Sequence, residues 1–202
     1  MSQQLSKVVP IMQALIRLGA ALLVILTITG CSLLADITGQ SAADSVVSDK
    51  LLVLLPPDQG PAAQMLKQTV TLTRHGHQVQ FLTVSRFEAQ QVKLLALLPS
   101  GQPLMELNYD GQTLTDRVYG ELPMNGQDIL AVVQFSLWPQ QSLEQYYVPE
   151  QGWQLEISKQ RRLLSQENKR WLKVEILPSG LIVDNYSQNY RVRIHTLEKM
   201  DL

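Results

Sequence analysis

Few side chains in this sequence are of the types that carry out chemistry. Among its 202 residues are three histidines and a single cysteine. His75 and His77 stand two apart, which would put both on one face of a strand and suit two ligands of a metal. The same pair brackets Gly76, so Arg74-His75-Gly76-His77 also reads as the turn between two strands. No acidic cluster lies near it in sequence. His195 alternates with apolar neighbours, beside Arg191 and Arg193, and so falls on an outward face, where nothing supports a general base. Asp110 before Gly111 is a hairpin-turn pair rather than half of a carboxylate dyad. Glu106 and Glu121 have no spacing that brings two carboxylates across a sugar bond. No Gly-x-Ser-x-Gly elbow, Ser-x-x-Lys pair or glycine-rich phosphate loop occurs. The sequence predicts no catalytic residue, no metal site and no cofactor, with a periplasmic hydrolase of convergent groups as the remaining enzymatic alternative.

The cysteine is another matter. Lys7 and Arg17 precede a run of hydrocarbon from Leu18 to Ile28, and Ile28-Thr29-Gly30-Cys31 follows. Basic residues, an apolar run and small residues are the layout of a secretory signal. An aliphatic residue and two small ones before Cys resemble the lipobox of bacterial lipoproteins. The alternative, a single membrane span, needs about 20 apolar residues, and this run is shorter. The resemblance implies cleavage before Cys31, a diacylglyceryl group on its thiol and an acyl chain such as palmitate on the new amino terminus. Several acyl chains hold a protein on a membrane far more firmly than one, at about 0.8 kcal/mol per buried CH₂. Ser32 occupies the sorting position where Asp would mark retention at the inner membrane. The resemblance therefore implies the inner leaflet of the outer membrane, facing the periplasm. Losing Lys7 and Arg17 makes a chain of net charge −1 more acidic, and without clustered basic charge no nucleic acid is expected as a partner.

These features divide the chain into a signal peptide at 1–30, a flexible tether at 31–50 rich in Ser, Ala, Asp and Gly, and one β-rich domain at 51–202. Leu51 to Leu55 is a strand or extended lead-in stopped by Pro56-Pro57, and Pro61 opens a short helix through Leu66. From Gln68 the apolar period becomes two. Strands are expected at 68–74, 78–88, 92–98, 104–109 and 112–119, with turns at His75-Gly76, Pro99 to Gln102 and Asp110-Gly111. Asn125 then caps a helix, with Asp128 three residues on, and Pro139 ends it after Trp138. Ile129, Val132, Val133, Ser136 and Leu137 share one face of it, and 143–148 is ambiguous. Strands resume at 153–158, 161–165, 171–177, 181–186 and 190–197. The expected class is α+β, mainly antiparallel β, with the mid-chain helix burying its stripe against a curved sheet.

Leu107-Asn108-Tyr109-Asp110-Gly111, then Ile129-Leu130, Gln134, Leu137-Trp138-Pro139, and finally Asn185 with Tyr190 to Ile194 resemble a family of small bacterial outer-membrane lipoproteins. That family is in turn similar to LolA and LolB, the periplasmic carrier and outer-membrane receptor for lipoproteins. The likeness implies an unclosed β half-barrel with a helical lid over a hydrophobic cavity for acyl chains. It also implies, as partners, a lipid or the acyl chains of a lipoprotein, and a periplasmic carrier protein. The cavity residues expected from the strand pattern are Val79, Phe81, Leu94, Met105, Leu107, Leu172, Val174, Ile176, Val192 and Ile194. Ile129, Val133, Leu137 and Trp138 would form the lid, with Trp138 at the rim. One departure stands out. Receptors of the LolB type use an apolar residue on a protruding loop to enter the membrane, and the Pro99-Ser100-Gly101-Gln102 turn offers no such tip. The expected function is a lipid-anchored, LolB-like carrier or receptor. The alternative is a non-catalytic structural or assembly accessory whose core is filled.

Overall fold

A computed structural model of the chain describes residues 52–120 and 124–202. Cys31, the segment 31–50 and Glu121 lie outside the described residues. Among the described residues ten strands form one sheet. The first five are β1 (Gln64–Arg74), β2 (His77–Glu88), β3 (Gln91–Leu97), β4 (Pro103–Tyr109) and β5 (Leu114–Val118). The others are β6 (Trp153–Ile157), β7 (Arg161–Gln166), β8 (Lys169–Leu177), β9 (Gly180–Asn185) and β10 (Tyr190–Asp201). Their order across the sheet is β5-β4-β3-β2-β1-β10-β9-β8-β7-β6, every neighbouring pair antiparallel. Two meanders are thus joined along β1 and β10, and β5 and β6 remain as edges. The fold is the mainly antiparallel, unclosed half-barrel that the sequence suggests.

The turns follow from local chemistry. His75 and Gly76 both take positive φ (49° and 80°), as do Glu167 (49°) and Asn168 (64°), and a two-residue turn of that hand matches the twist of the strands it joins. Asp110 Oδ1 accepts from the N–H groups of Thr113 (2.7 Å) and Gln112 (2.8 Å), and these two bonds hold its carboxyl below the usual range. It is a turn residue, as expected. The short helix expected from Pro61 is absent. Gln64 and Leu66 alternate inward with Met65 and Lys67 on the other side, and pairing with both β2 and β10 overrides the proline signal. The ambiguous stretch after Pro139 is a helix.

Among the described residues the two α-helices are α1 (Gly126–Leu137) and α2 (Gln140–Tyr146), and they lie in the one connection that links the edges, between β5 and β6. Asn125 Oδ1 accepts from Asp128 N–H at 2.8 Å, the N-cap expected from sequence. The next residue must be glycine. Its N–H donates to Asp116 Oδ2 on β5 at 3.2 Å, and a Cβ at Gly126 would sit 2.5 Å from that oxygen. At the other end Arg162 Nη1, on β7, donates to Phe135 O (2.8 Å) and Trp138 O (2.7 Å). A 12-residue helix is about 18 Å long. Eight strand spacings in a flat sheet would separate β5 from β7 by about 38 Å. Side chains of Asp and Arg do not bridge that difference, so the sheet is curled around α1.

The extended lead-in is packed into the same hollow. Leu52 and Leu55 are buried, and a single 3₁₀ turn follows at Pro57–Gln59. Gln134, wholly buried in α1, clasps the lead-in through both main-chain groups of one residue. Leu55 N–H donates to Gln134 Oε1 (2.8 Å), and Gln134 Nε2 donates to Leu55 O (2.6 Å). Trp138 Nε1 donates to Pro56 O (3.1 Å), and Ser142 Oγ to Gln59 O (2.7 Å). Gly60 is required by closeness, since a Cβ there would stand 3.0 Å from the Trp138 ring. Replacing Gln134 by Leu keeps the volume but strands two buried peptide groups. At about 1–3 kcal/mol for each stranded group, Gln134→Leu should cost about 3 kcal/mol, read as a lower urea midpoint at unchanged slope.

Candidate functional site

Beneath the first half of α1 is an apolar cavity of about 80 Å³. Its floor comes from the central strands, where alternation puts every second side chain on the concave face. Phe81, Leu94, Met105, Val192 and Ile194, all expected there, line it, as do Val70, Leu72, Ala96 and Val183, which were not singled out. The roof is Met124, Ile129, Val132 and Val133. Two of the expected lid residues, Ile129 and Val133, therefore face the void from α1.

The other expected residues are elsewhere. Val79 is 43% exposed near the start of β2, although its cross-strand partner Leu72 lines the cavity. Leu107 is buried without reaching the cavity. Leu172 and Val174 have no exposed surface, and Ile176 packs against the same core. They belong to the part of the half-barrel closest to β6, which is filled by aromatic rings. Phe135, Tyr147, Trp153 and Trp171 meet edge to face in series, at centroid distances of 5.8, 5.5 and 5.1 Å. Leu137 packs partly buried against the core and does not line the cavity. Trp138 is not at a rim at all. It is fully buried, bonded to Pro56 O and edge-on to Phe87 at 5.8 Å, because the lead-in segment comes up against it.

No charged side chain lines the cavity. Tyr190 closes one end, with its hydroxyl accepting from Asn185 Nδ2 at 3.0 Å, and burial pushes its pKa up to about 12. Around Met124, at the N-terminus of α1, the lining gives way to Arg74, His75, Asn125, Asp128 and the turn Ser187–Asn189. The cavity is thus mostly apolar inside, with polar residues beyond Met124 at one end. In volume it falls below the ~150 Å³ that accepts one benzene. As it stands it does not hold a fatty chain.

Of the chemistry-bearing residues, His75 lies in the β1–β2 turn, His77 is exposed at the start of β2, and His195 is exposed on β10. Glu106 is exposed on β4, cross-strand from Arg117. Among the described residues no three of His, Cys, Asp and Glu come together. Leu98, beside the β3–β4 turn, packs partly buried against the core and presents no apolar tip. No helix among the described residues is long and apolar enough to cross a membrane.

A family profile described as "Protein of unknown function (DUF3261)" matches residues 65–198. No curated protein matches the sequence. Among solved structures, the chain is similar to a domain from Vibrio parahaemolyticus described as that of an outer membrane lipoprotein-sorting protein. The match has a TM-score of 0.42 and 8% identity, and it covers 72% of this chain and 87% of that one.

The clamp on the C-terminus of α1 can be tested directly. Arg162 is half-buried and burial lowers its pKa, yet a guanidinium stays charged. It offers its charge to the carbonyls where the helix dipole is negative. Arg162→Met should destabilise the fold by about 2 kcal/mol. Amide exchange at 135–138 should accelerate more than at β1 and β10.

Proposed function

The chain belongs to the DUF3261 family, and on that footing, which fixes no activity, we propose that it is a non-enzymatic lipid carrier or receptor. It would take a lipid, or the acyl part of a lipidated protein, between α1 and the sheet. In this reading Cys31 carries the lipid anchor, the segment 31–50 is the tether, and the domain works from the inner leaflet of the outer membrane. A periplasmic carrier protein would deliver the client. The observation that carries the proposal is the uncharged apolar cavity roofed by Ile129, Val132 and Val133.

The physics asks for little more. Each CH₂ taken out of water contributes about 0.8 kcal/mol, so a chain is held without directional contacts. Passing it on to a bilayer is close to neutral, because it leaves one apolar medium for another. The lid is α1. Its polar attachments are concentrated at Asp116 on one wing, at Arg162 on the other, and at Gln134 on the lead-in. The binding residues would be Phe81, Leu94, Met105, Val192 and Ile194 on the floor, with Ile129 and Val133 above.

The smallness of the cavity favours a second reading, an assembly accessory whose interior stays closed and whose outer surface engages an envelope complex. Native mass spectrometry of delipidated protein with phospholipids and with a lipopeptide separates the two. Adducts beyond those of a globular control are expected, and their absence together with a stable cross-linked protein partner would favour the accessory. Ala96 is the place to block the site, being 1% exposed and on the cavity floor. Ala96→Phe fills the void at an overpacking cost of about 1–3 kcal/mol. It should leave a cooperative melt and abolish the adducts.

A further inference from the structure

The cavity is apolar except at one place on its floor. Gln68 of β1 and Thr83 of β2 are directly paired across the strands, and Ser85 lies two residues along on the same face. All three line the cavity and all are more than nine-tenths buried, at 7%, 6% and 3% exposure. Gln68 Nε2 donates to Thr196 Oγ1 at 3.1 Å. Among the described residues no hydrogen bond is made by the hydroxyl of Thr83 or Ser85, and neither oxygen is wholly without accessible surface. An apolar floor would place Val and Ala here without strain. Hydroxyls in an apolar enclosure that meet no partner cost free energy, so two of them on neighbouring positions of a cavity lining mark a place where a ligand atom can complete the bonding.

The chemistry of that atom is narrowed by what surrounds it. Thr83 and Ser85 can each donate and accept, and Gln68 adds amide groups. No cation lines the cavity, so a carboxylate or phosphate would be buried without a counter-charge. A neutral oxygen fits. We propose that Gln68, Thr83 and Ser85 form a polar seat for a hydroxyl or carbonyl oxygen carried on the ligand's chain. The protein thereby prefers an oxygenated acyl chain, an ester or chain alcohol, to a plain hydrocarbon one. The inference rests on the carrier reading and adds to it the class of lipid. The polar collar at Arg74 and Asp128 is a separate feature, six residues away along β1 and so about 20 Å from the seat.

The test uses three probes built on a sixteen-carbon chain, hexadecane, 1-hexadecanol and methyl hexadecanoate, delivered from cyclodextrin. Each displaces the fluorophore N-phenyl-1-naphthylamine from the folded domain. Wild-type protein should bind the alcohol and ester roughly tenfold more tightly than the alkane, the worth of about one net hydrogen bond in a dry site. Thr83→Val and Ser85→Ala together remove the hydroxyls at nearly constant shape. The double variant should still melt cooperatively, bind the alkane at least as well as wild type, and lose the tenfold preference. If the preference survives, or never exists while all three probes bind, the seat is wrong and the carrier reading stands. If no probe displaces the fluorophore or binds in native mass spectra, both are overturned. If the variant only becomes more stable and its probe affinities do not change, the hydroxyls held trapped water, and the seat is refuted.

Discussion

One helix bridging two distant strands holds this structure in shape. The N-terminal N–H of α1 is bonded to Asp116 on the edge strand β5, and its last carbonyls to Arg162 on β7. Those strands stand eight places apart in the sheet. Curvature is therefore fixed by the length of α1, and with it the existence of a concave side. The topology makes this unavoidable, because β5 and β6 are opposite edges and the chain between them has to cross the sheet. A sheet of this width would otherwise twist open and leave both faces to water.

Curling such a sheet creates more interior than one helix can fill, and the chain fills it unequally. Towards β6 the aromatic series from Phe135 to Trp171 and the wholly buried Leu164, Leu172 and Val174 leave no room. Under the C-terminal half of α1, the lead-in with Leu55 and Pro57 takes the space. Extended main chain inside a core needs partners for its peptide groups, and that explains a fully buried glutamine among Leu130, Ala131 and Phe135 of α1. Gln134 offers one acceptor and one donor in the arrangement a neighbouring strand would. What remains unfilled is the volume between the first half of α1 and β1, β2 and β10.

The strand pattern of this sheet was legible because its cause is local. Tyr190, Val192 and Ile194 alternate with Arg191, Arg193 and His195, and the structure puts the first three on the concave side. The Asn125 cap and the Asp110-Gly111 turn also depend on atoms within four residues of one another. The site was half legible for the converse reason. Val174 and Val192 have the same alternation and both face inward, yet one is sealed in the packed core and the other lines a void. Nothing within β8 or β10 records which. Trp138 lies in the core and not at a rim, and its partner there, Pro56, is 82 residues away. Gln134 drew notice only as part of a family pattern, since its bond to Leu55 spans 79 residues. The seat at Thr83 and Ser85 had a faint signal: two hydroxyls stand at inward positions between Phe81 and Phe87.

An 80 Å³ void at first argues against a carrier, but an empty carrier should look closed. A chain-sized hollow open to water would expose the apolar sheet floor and the underside of α1 together. Burying Ile129, Val132 and Val133 against the floor recovers about 1.5–3 kcal/mol for each side chain fully removed from water, so without a ligand the helix comes down. Lifting it costs that sum and strains the bonds at its two ends. A chain of about fourteen CH₂ groups contributes about 11 kcal/mol at 0.8 per group, which exceeds the lost lid contacts and leaves something for the ends. The balance is close enough that a shorter chain would not hold the lid up. In the proposed carrier, size selection of this kind would need no rigid pocket. It would follow from a helix bonded to the sheet at Asp116 and Arg162 and packed between them through apolar side chains.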